Sequence, residues 1–234
     1  CGLRRTINLA NATVHEVGIP ICTEMLGTTI EPQYLNPYLS AGFIGARTSE
    51  SQIHRNLASG VSFPVGIKNS SDGCAETAYQ GVLAARVPRS FCGVDVDGRI
   101  CAVHTTGNED TCVVLRGSYK NGPNIESGLD ELKDKECAII VDCAHGNSNK
   151  NLETQKRNAI NVAKNKRVCG IMVESHLKDG KQPCSINSLS DVSVTDPCIG
   201  WDDTVILVHK IAEAHYDKLK IKQENKGKRL KLFH

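Results

Sequence analysis

"CAIIVDCAHGNSNKNLETQKRN", residues 137–158, is the stretch that decides the fold. Ala138, Ile139, Ile140 and Val141 run apolar without alternation, the habit of a strand buried on both faces of a parallel sheet. Asp142, His145, Asn147, Ser148, Asn149 and Lys150 then crowd together before a helical pattern starts. A buried strand that releases this much polar chemistry at its carboxyl end points to an α/β protein with its site there.

The same unit repeats on either side. Downstream, "NKRVCGIMVESHLKDG" (165–180) supplies a strand ending on Glu174, and "DTVILVHKIAEAHYDKLK" closes the pattern as a helix. Upstream, "RSFCGVDVDGRICAVHTTGNEDTCVVLRGSY" (89–119) reads as a strand, an Asp-Gly hairpin and a further strand ending on Arg116. "FPVGIKNSSDG" (63–73) is a strand ending on Lys68, followed by the helix "CAETAYQGVLAAR". "GFIGARTSESQIHRNLASGV" (42–61) gives a strand, Arg47, and a helix with Ile53, Leu57 and Val61 as its i, i+4, i+8 stripe. Thr48 or Ser49 with Glu50 forms that helix's amino terminus. "VGIPICTEML" (17–26) is a strand ending on Glu24, followed by Pro32 and the helical stretch "PQYLNPYLSAG".

Strand–helix alternation implies parallel strands joined by right-handed crossovers. A doubly wound sheet and a barrel both satisfy that rule. Glu24, Arg47, Lys68, Arg116, His145 and Glu174 come from six strands, each at the carboxyl end. An open sheet would spread them over several strand widths of ~4.8 Å, whereas a barrel gathers them at one mouth. The expected fold is therefore a TIM (β/α)8 barrel. Six units are countable, so the chain is read as the last six β/α units (strands 3 to 8) with a β-hairpin insertion. Residues 1–217 form this domain, and 218–234, with seven Lys or Arg, form a basic tail.

The bulk numbers agree. A chain of 234 residues with a net charge of +2 and a pI near 8.0 has no strong pull toward nucleic acid or membrane. No apolar run approaches the ~18 residues of a membrane helix. The first residue is Cys1 rather than Met, which reads as a piece of a longer chain. Eleven cysteines, odd in number and without a CxxC pair, include Cys92, Cys112, Cys137 and Cys169 inside apolar runs. Reduced, buried thiols in a cytoplasmic protein are expected.

Two constellations carry chemistry. His145 offers an imidazole nitrogen, and Glu174 and Asp196 offer carboxylates from the neighbouring strand end and the turn in "SVTDPCIGWDDT" (193–204). Such a set holds a divalent transition metal with room for substrate. The same residues also fit a hydrogen-bonded strand-end histidine and a helix-capping aspartate. Arg47, Lys68 and Arg116 suit an anionic substrate bearing phosphate or carboxylate, against the alternative of solvated charges paired with Glu50 or Asp72.

Five ordered blocks, "GARTSESQIHRNLASGVSFPVGIKNSSDG", "VVLRG", "DCAHGNSNK", "GIMVESHL" and "TDPCIGWDDT", closely resemble the microbial and fungal, aromatic-regulated 3-deoxy-D-arabino-heptulosonate-7-phosphate (DAHP) synthases. The resemblance implies a transferase that condenses phosphoenolpyruvate with erythrose 4-phosphate and releases phosphate, the first step of the shikimate pathway. It implies that Arg47, Lys68 and Arg116 hold phosphoenolpyruvate, and that His145, Glu174 and Asp196 ligate Mn²⁺ or another divalent ion such as Fe²⁺, Co²⁺ or Zn²⁺. Lys68 and His145 become the proton-transfer groups. Pro32, Ser62 and Phe91 fall where the family binds an aromatic amino acid as feedback inhibitor, and a homo-oligomer is expected at full length.

The chain also departs from the family pattern. The family's metal-binding cysteine and its Lys-Pro-Arg-Thr sugar-phosphate loop have no counterpart in this sequence. Asp142-Cys143-Ala144-His145 stands where the family has Asp-aromatic-Ser-His, and "DVDG" replaces a Thr-Lys hairpin. Two competing readings follow: a synthase acting on arabinose 5-phosphate, against which "GARTSESQIHR" and "GWDDT" speak, and a truncated, non-catalytic relative serving as a regulatory or partner subunit.

Overall fold

The apolar runs VGIK, TCVVL and AIIVD each become a strand in the structure, a computed structural model that describes residues 2–28, 34–95 and 97–231. The chain divides into two compact units, residues 1–115 with 130–138, and residues 116–129 with 139–234.

The first unit opens with α1 (Gly2–Ala12) and a π-helical turn (Thr13–Val17) that ends at Gly18, whose φ of 75° suits glycine. Next come β1 (Ile21–Glu24), β2 (Leu39–Ile44), α2 (Gln52–Ala58), β3 (Val65–Lys68) and α3 (Ala75–Arg86). A hairpin of β4 (Ser90–Val94) and β5 (Ile100–His104) precedes β6 (Thr111–Leu115). Strands β1, β2, β3 and β6 pair in parallel in that order. The hairpin forms its own antiparallel sheet, closed by the Asp97-Gly98 turn, where Gly98 has φ 81° and donates to Asp95 O. Ile44, Val65, Ile67, Val113 and Val114 are fully buried, and α3 packs on β3 and β6 with Ala75, Ala78, Gly81, Val82 and Ala85 on its buried face. A Cβ on Gly81 would sit 3.0 Å from Ile67 Cγ2, so this glycine lets the helix lie close on the strand.

A helix α4 (Ile125–Glu131) precedes the second unit's β7 (Ala138–Asp142), the one-turn α5 (His145–Ser148), α6 (Leu152–Ala163), β8 (Val168–Met172) and α7 (Trp201–Lys231). Strands β7 and β8 pair in parallel, with a register shift between Ile139 and Ile140. Asn151 caps α6 by accepting from Thr154 N at 2.8 Å, and Ala159, Val162 and Ala163 form its buried face. Parallel strands alternating with helical segments, together with the inserted hairpin, match the expected β/α series. Among the described residues no helix is long and apolar enough to cross a membrane.

Three local readings are corrected. Leu39–Gly42 is not helical: the helical stretch stops at Tyr38, and Ala41 pairs with Cys22 while Gly42 pairs with Val65. Neighbours on both sides fix this segment as a strand, and local pattern yields to them. The Ile53–Leu57–Val61 stripe fails because α2 ends at Ala58, before Gly60, and Ile53 is 64% exposed. Cys92 and Cys169 are exposed, and Cys112 and Cys137 only half-buried. Cys92 and Cys169 lie on the exposed face of β4 and β8, and Cys137 precedes β7. The ten described cysteines are free thiols.

Candidate functional site

The site of the second unit starts where β7 ends. Asp142, 2% exposed, accepts from Ala144 N through Oδ1 at 3.1 Å and turns the chain. His145 follows at φ 42°, a left-handed conformation uncommon for a side chain of its size. The backbone at Gly146 then crosses that at Gly117. A Cβ on Gly146 would lie 2.2 Å from Ser118 N, and one on Gly117 (φ 69°) 2.6 Å from Asn147 N. Only glycine fits at either place, so Arg116 and His145, each next to one of these glycines, are set by the backbone contact.

Asn147, also 2% exposed, ties this crossing together. Its backbone N donates to Arg116 O at 3.2 Å. Its Oδ1 accepts from Asn124 N at 2.9 Å, and its Nδ2 donates to Asp142 O at 2.8 Å. Asn124 Oδ1 in turn accepts from Gly117 N at 2.8 Å. Across the strand pair, buried Gln155 clasps the Glu174 backbone from both sides, Nε2 to O at 3.1 Å and Oε1 from N at 2.9 Å. Asp196 lies in the turn before α7, where Ser193 Oγ accepts from Thr195 N at 3.2 Å.

These supports bring three ligand-type side chains to one point. His145 Nε2 is 3.6 Å from Glu174 Oε1 and 3.6 Å from Asp196 Oδ2. One ligand atom from each lies within 4.8 Å of the others. Ligand bonds of about 2.1 Å put neighbouring donors about 3.0–3.4 Å apart in octahedral or tetrahedral coordination. The observed spacing is close enough for small side-chain rotations to close it. One nitrogen and two oxygens, half-buried, therefore fit a divalent ion. Behind the imidazole, Asp142 Oδ2 lies 2.9 Å from Nδ1 at ion-pair distance, without hydrogen-bond alignment. A carboxylate in that place favours a proton on Nδ1 and leaves Nε2 to face the cluster.

Lys150, at φ 61°, reaches in from the same segment and sets Nζ 2.8 Å from Asp196 Oδ1. Burial is the largest single influence on Asp196 and raises its proton affinity. The Lys150 hydrogen bond and the charges of His145, Lys150 and Lys181 together outweigh it, leaving the carboxyl below its usual range. The Asp196 hydrogen bond holds Lys150 above its usual range, against desolvation, with help from Tyr119. Buried Arg116 lies with its guanidinium carbon 5.3 Å from the Tyr119 ring centroid, and Lys150 Nζ is 5.2 Å from the same centroid.

His145, Glu174 and Asp196 are thus together, and Arg116 joins them through Tyr119 and Lys150. Arg47 and Lys68 belong to the first unit: exposed Arg47 in the turn after β2, half-buried Lys68 as the last residue of β3. Ser62 and Phe91 line one cavity of about 640 Å³ in that unit, with Leu57, Val61 and Val103. Pro32 lies outside the described residues. The sequence pattern groups Asp142, Asn147 and Lys150 only as polar residues after the strand, and gives Tyr119 no role. The signal that could have singled out Lys150 and Asn147 is the Gly117–Gly146 crossing, which no local pattern reveals.

Comparison with known proteins identifies the chain's relatives. A family model described as the DAHP synthetase I family matches residues 2–209. The tyrosine-inhibited phospho-2-dehydro-3-deoxyheptonate aldolase of Schizosaccharomyces pombe is 40% identical over 219 residues, covering 86% of this chain and 58% of the relative. The Phe-sensitive enzyme of that name from Escherichia coli K12 is 38% identical over 216 residues, covering 86% and 61%. Among solved structures, the phospho-2-dehydro-3-deoxyheptonate aldolase of Francisella tularensis SCHU S4 superposes with a TM-score of 0.86 at 34% identity, over 93% of this chain and 66% of that one. The chain spans about three-fifths of the length of these curated relatives, 58% and 61%.

Proposed function

The chain belongs to the DAHP synthetase I family, and on that premise we propose that it carries the phosphoenolpyruvate and metal sites of a DAHP synthase. The reaction is the condensation of phosphoenolpyruvate with erythrose 4-phosphate, yielding 3-deoxy-D-arabino-heptulosonate 7-phosphate and inorganic phosphate. The observation that carries the reading is the meeting of His145, Glu174 and Asp196 within 4.8 Å.

His145, Glu174 and Asp196 hold the ion, with manganese or another divalent transition metal as the species. When bound, the ion supplies Lewis acidity toward the sugar aldehyde. Asp142 orients the His145 ring, and Lys150 keeps Asp196 ionised and turned toward the cluster. Arg47, Lys68 and Arg116 bind the phosphate and carboxylate of phosphoenolpyruvate. Arg116 presents a buried planar fork suited to either group. Lys68 and His145 move the protons that carbon–carbon bond formation and phosphate release require. The cavity lined by Ser62 and Phe91 receives an aromatic amino acid, in keeping with the tyrosine-inhibited and Phe-sensitive relatives.

The test is phosphate release from phosphoenolpyruvate by the full chain with Mn²⁺ and erythrose 4-phosphate, alongside direct titration of phosphoenolpyruvate. Binding that Arg116→Ala weakens supports the reading. Absence of both binding and phosphate release refutes it.

A further inference from the structure

Tyr119 is 49% exposed, yet its ring has a cation within 5.3 Å on account of Arg116 and another within 5.2 Å on account of Lys150. We propose that Tyr119 is a positioning residue that holds these two cations as one anion-binding pair. The proposal rests on the reading that Arg116 binds phosphoenolpyruvate.

Two cations that share one ring repel each other; Asp196 faces one of them, Lys150, and the ring is a group that both share. The negative face of a tyrosine ring attracts both guanidinium and ammonium, and does so more strongly where water is partly excluded. Tyr119 is itself held firmly. It sits in a tight loop closed by Ser118 N to Gly122 O and Gly122 N to Ser118 O, both at 2.9 Å. Inside the loop, Ser118 Oγ accepts from Lys120 N and Asn121 N at 3.1 Å each. Ser118 is 1% exposed, so the loop base is anchored while the ring stands out.

Each charged head has a further partner besides the ring. Lys150 Nζ is 2.8 Å from Asp196 Oδ1, and Arg116 Nη1 donates to Gly117 O at 3.5 Å. Lys150 keeps its left-handed backbone at φ 61° in this arrangement, a conformation that costs a lysine about 1 kcal/mol and persists only where surroundings fix it. A half-exposed ring contributes little to a core, so its place beside a fork-shaped donor and a point charge is explained by the cations it orders. A guanidinium and an ammonium held at one ring suit a phosphoryl or carboxylate group, the first as a paired donor and the second as a point charge.

The experiment is calorimetric titration of phosphoenolpyruvate into the full chain and into Tyr119→Leu, Tyr119→Phe and Arg116→Ala, with thermal midpoints recorded for each. Tyr119→Leu, which removes the ring, weakens binding about tenfold, the order expected for losing two ring–cation contacts. Tyr119→Phe keeps the ring and stays within about twofold of the parent, a rescue that a merely structural hydroxyl would not give. If Arg116→Ala loses binding while Tyr119→Leu matches the parent, or Tyr119→Phe is as weak as Tyr119→Leu, the proposal falls and the substrate reading stands. If Arg116→Ala binds like the parent, or the parent does not bind, both fall together.

Discussion

Replacing Asn147 by alanine removes the clasp at the Gly117–Gly146 crossing. The change withdraws the bond to Asn124 N and the bond to Asp142 O, both made at residues less than 10% exposed, Asn124 at 7% and Asp142 at 2%. Losing one partner of a buried hydrogen bond costs about 1–3 kcal/mol, so two such losses total about 2–6 kcal/mol. For a chain of this size each kcal/mol moves the thermal midpoint by about 2–4 °C, which predicts a drop on the order of 10 °C. Asn147→Asp keeps the acceptor for Asn124 N but gives up the donor to Asp142 O and sets a second carboxylate beside Asp142. It should be no better than alanine. Circular dichroism melts measure the first effect, and Mn²⁺ and phosphoenolpyruvate titrations of the folded variants measure the second. Because Asn147 joins the Arg116 segment to the end of β7, both affinities should fall together. A midpoint within about 1 °C of the parent, with both affinities intact, would refute this account of the crossing.

Other consequences can be checked independently. Gly146→Ala places a Cβ 2.2 Å from the Ser118 backbone nitrogen, which cannot swing aside; destabilisation of about 3 kcal/mol by denaturant melts is expected. Desolvation, and then the charge of Asp142, pushes the Cys143 thiol far above its usual range, so iodoacetamide should label exposed Cys22, Cys92, Cys169 and Cys184 while sparing Cys143 until denaturant is added. Mass spectrometry of peptides reads this out, and early labelling of Cys143 contradicts it. The Ser70 hydroxyl, then the Cys74 N–H, holds the Asp72 carboxyl below its unfolded value. Its stabilising contribution is thus complete above the unfolded value near pH ~4 and is lost as pH falls through the lower folded value. Asp72→Asn should flatten that acid limb of the midpoint–pH curve; an unchanged slope tells against it.

The strand runs were legible because they are buried on both faces and need no partner information: Val65–Lys68, Thr111–Leu115 and Ala138–Asp142 stand out as unbroken apolar stretches. Asp97-Gly98 announced its hairpin for an equally local reason, the φ of 81° that glycine tolerates. The candidate triad was legible as residue types at two strand ends and in the turn before the last helix. Leu39–Gly42 was not, since its two strand neighbours decide its conformation and its own pattern, next to Asn36-Pro37-Tyr38, continues a turn of 3₁₀ helix. Tyr119 and Lys150 were illegible in a different way. They meet because two glycine-bearing segments about thirty positions apart touch backbone to backbone, and a single sequence carries no record of that contact.

The central claim is that His145, Glu174 and Asp196 share one ion, and equilibrium Mn²⁺ titration of the full chain followed by electron paramagnetic resonance tests it most directly. One ion per chain should bind, and His145→Ala, Glu174→Ala and Asp196→Ala should each weaken it by about 100-fold or more, since loss even of a supporting partner costs 10–100-fold. Undiminished affinity in all three variants would contradict the assignment.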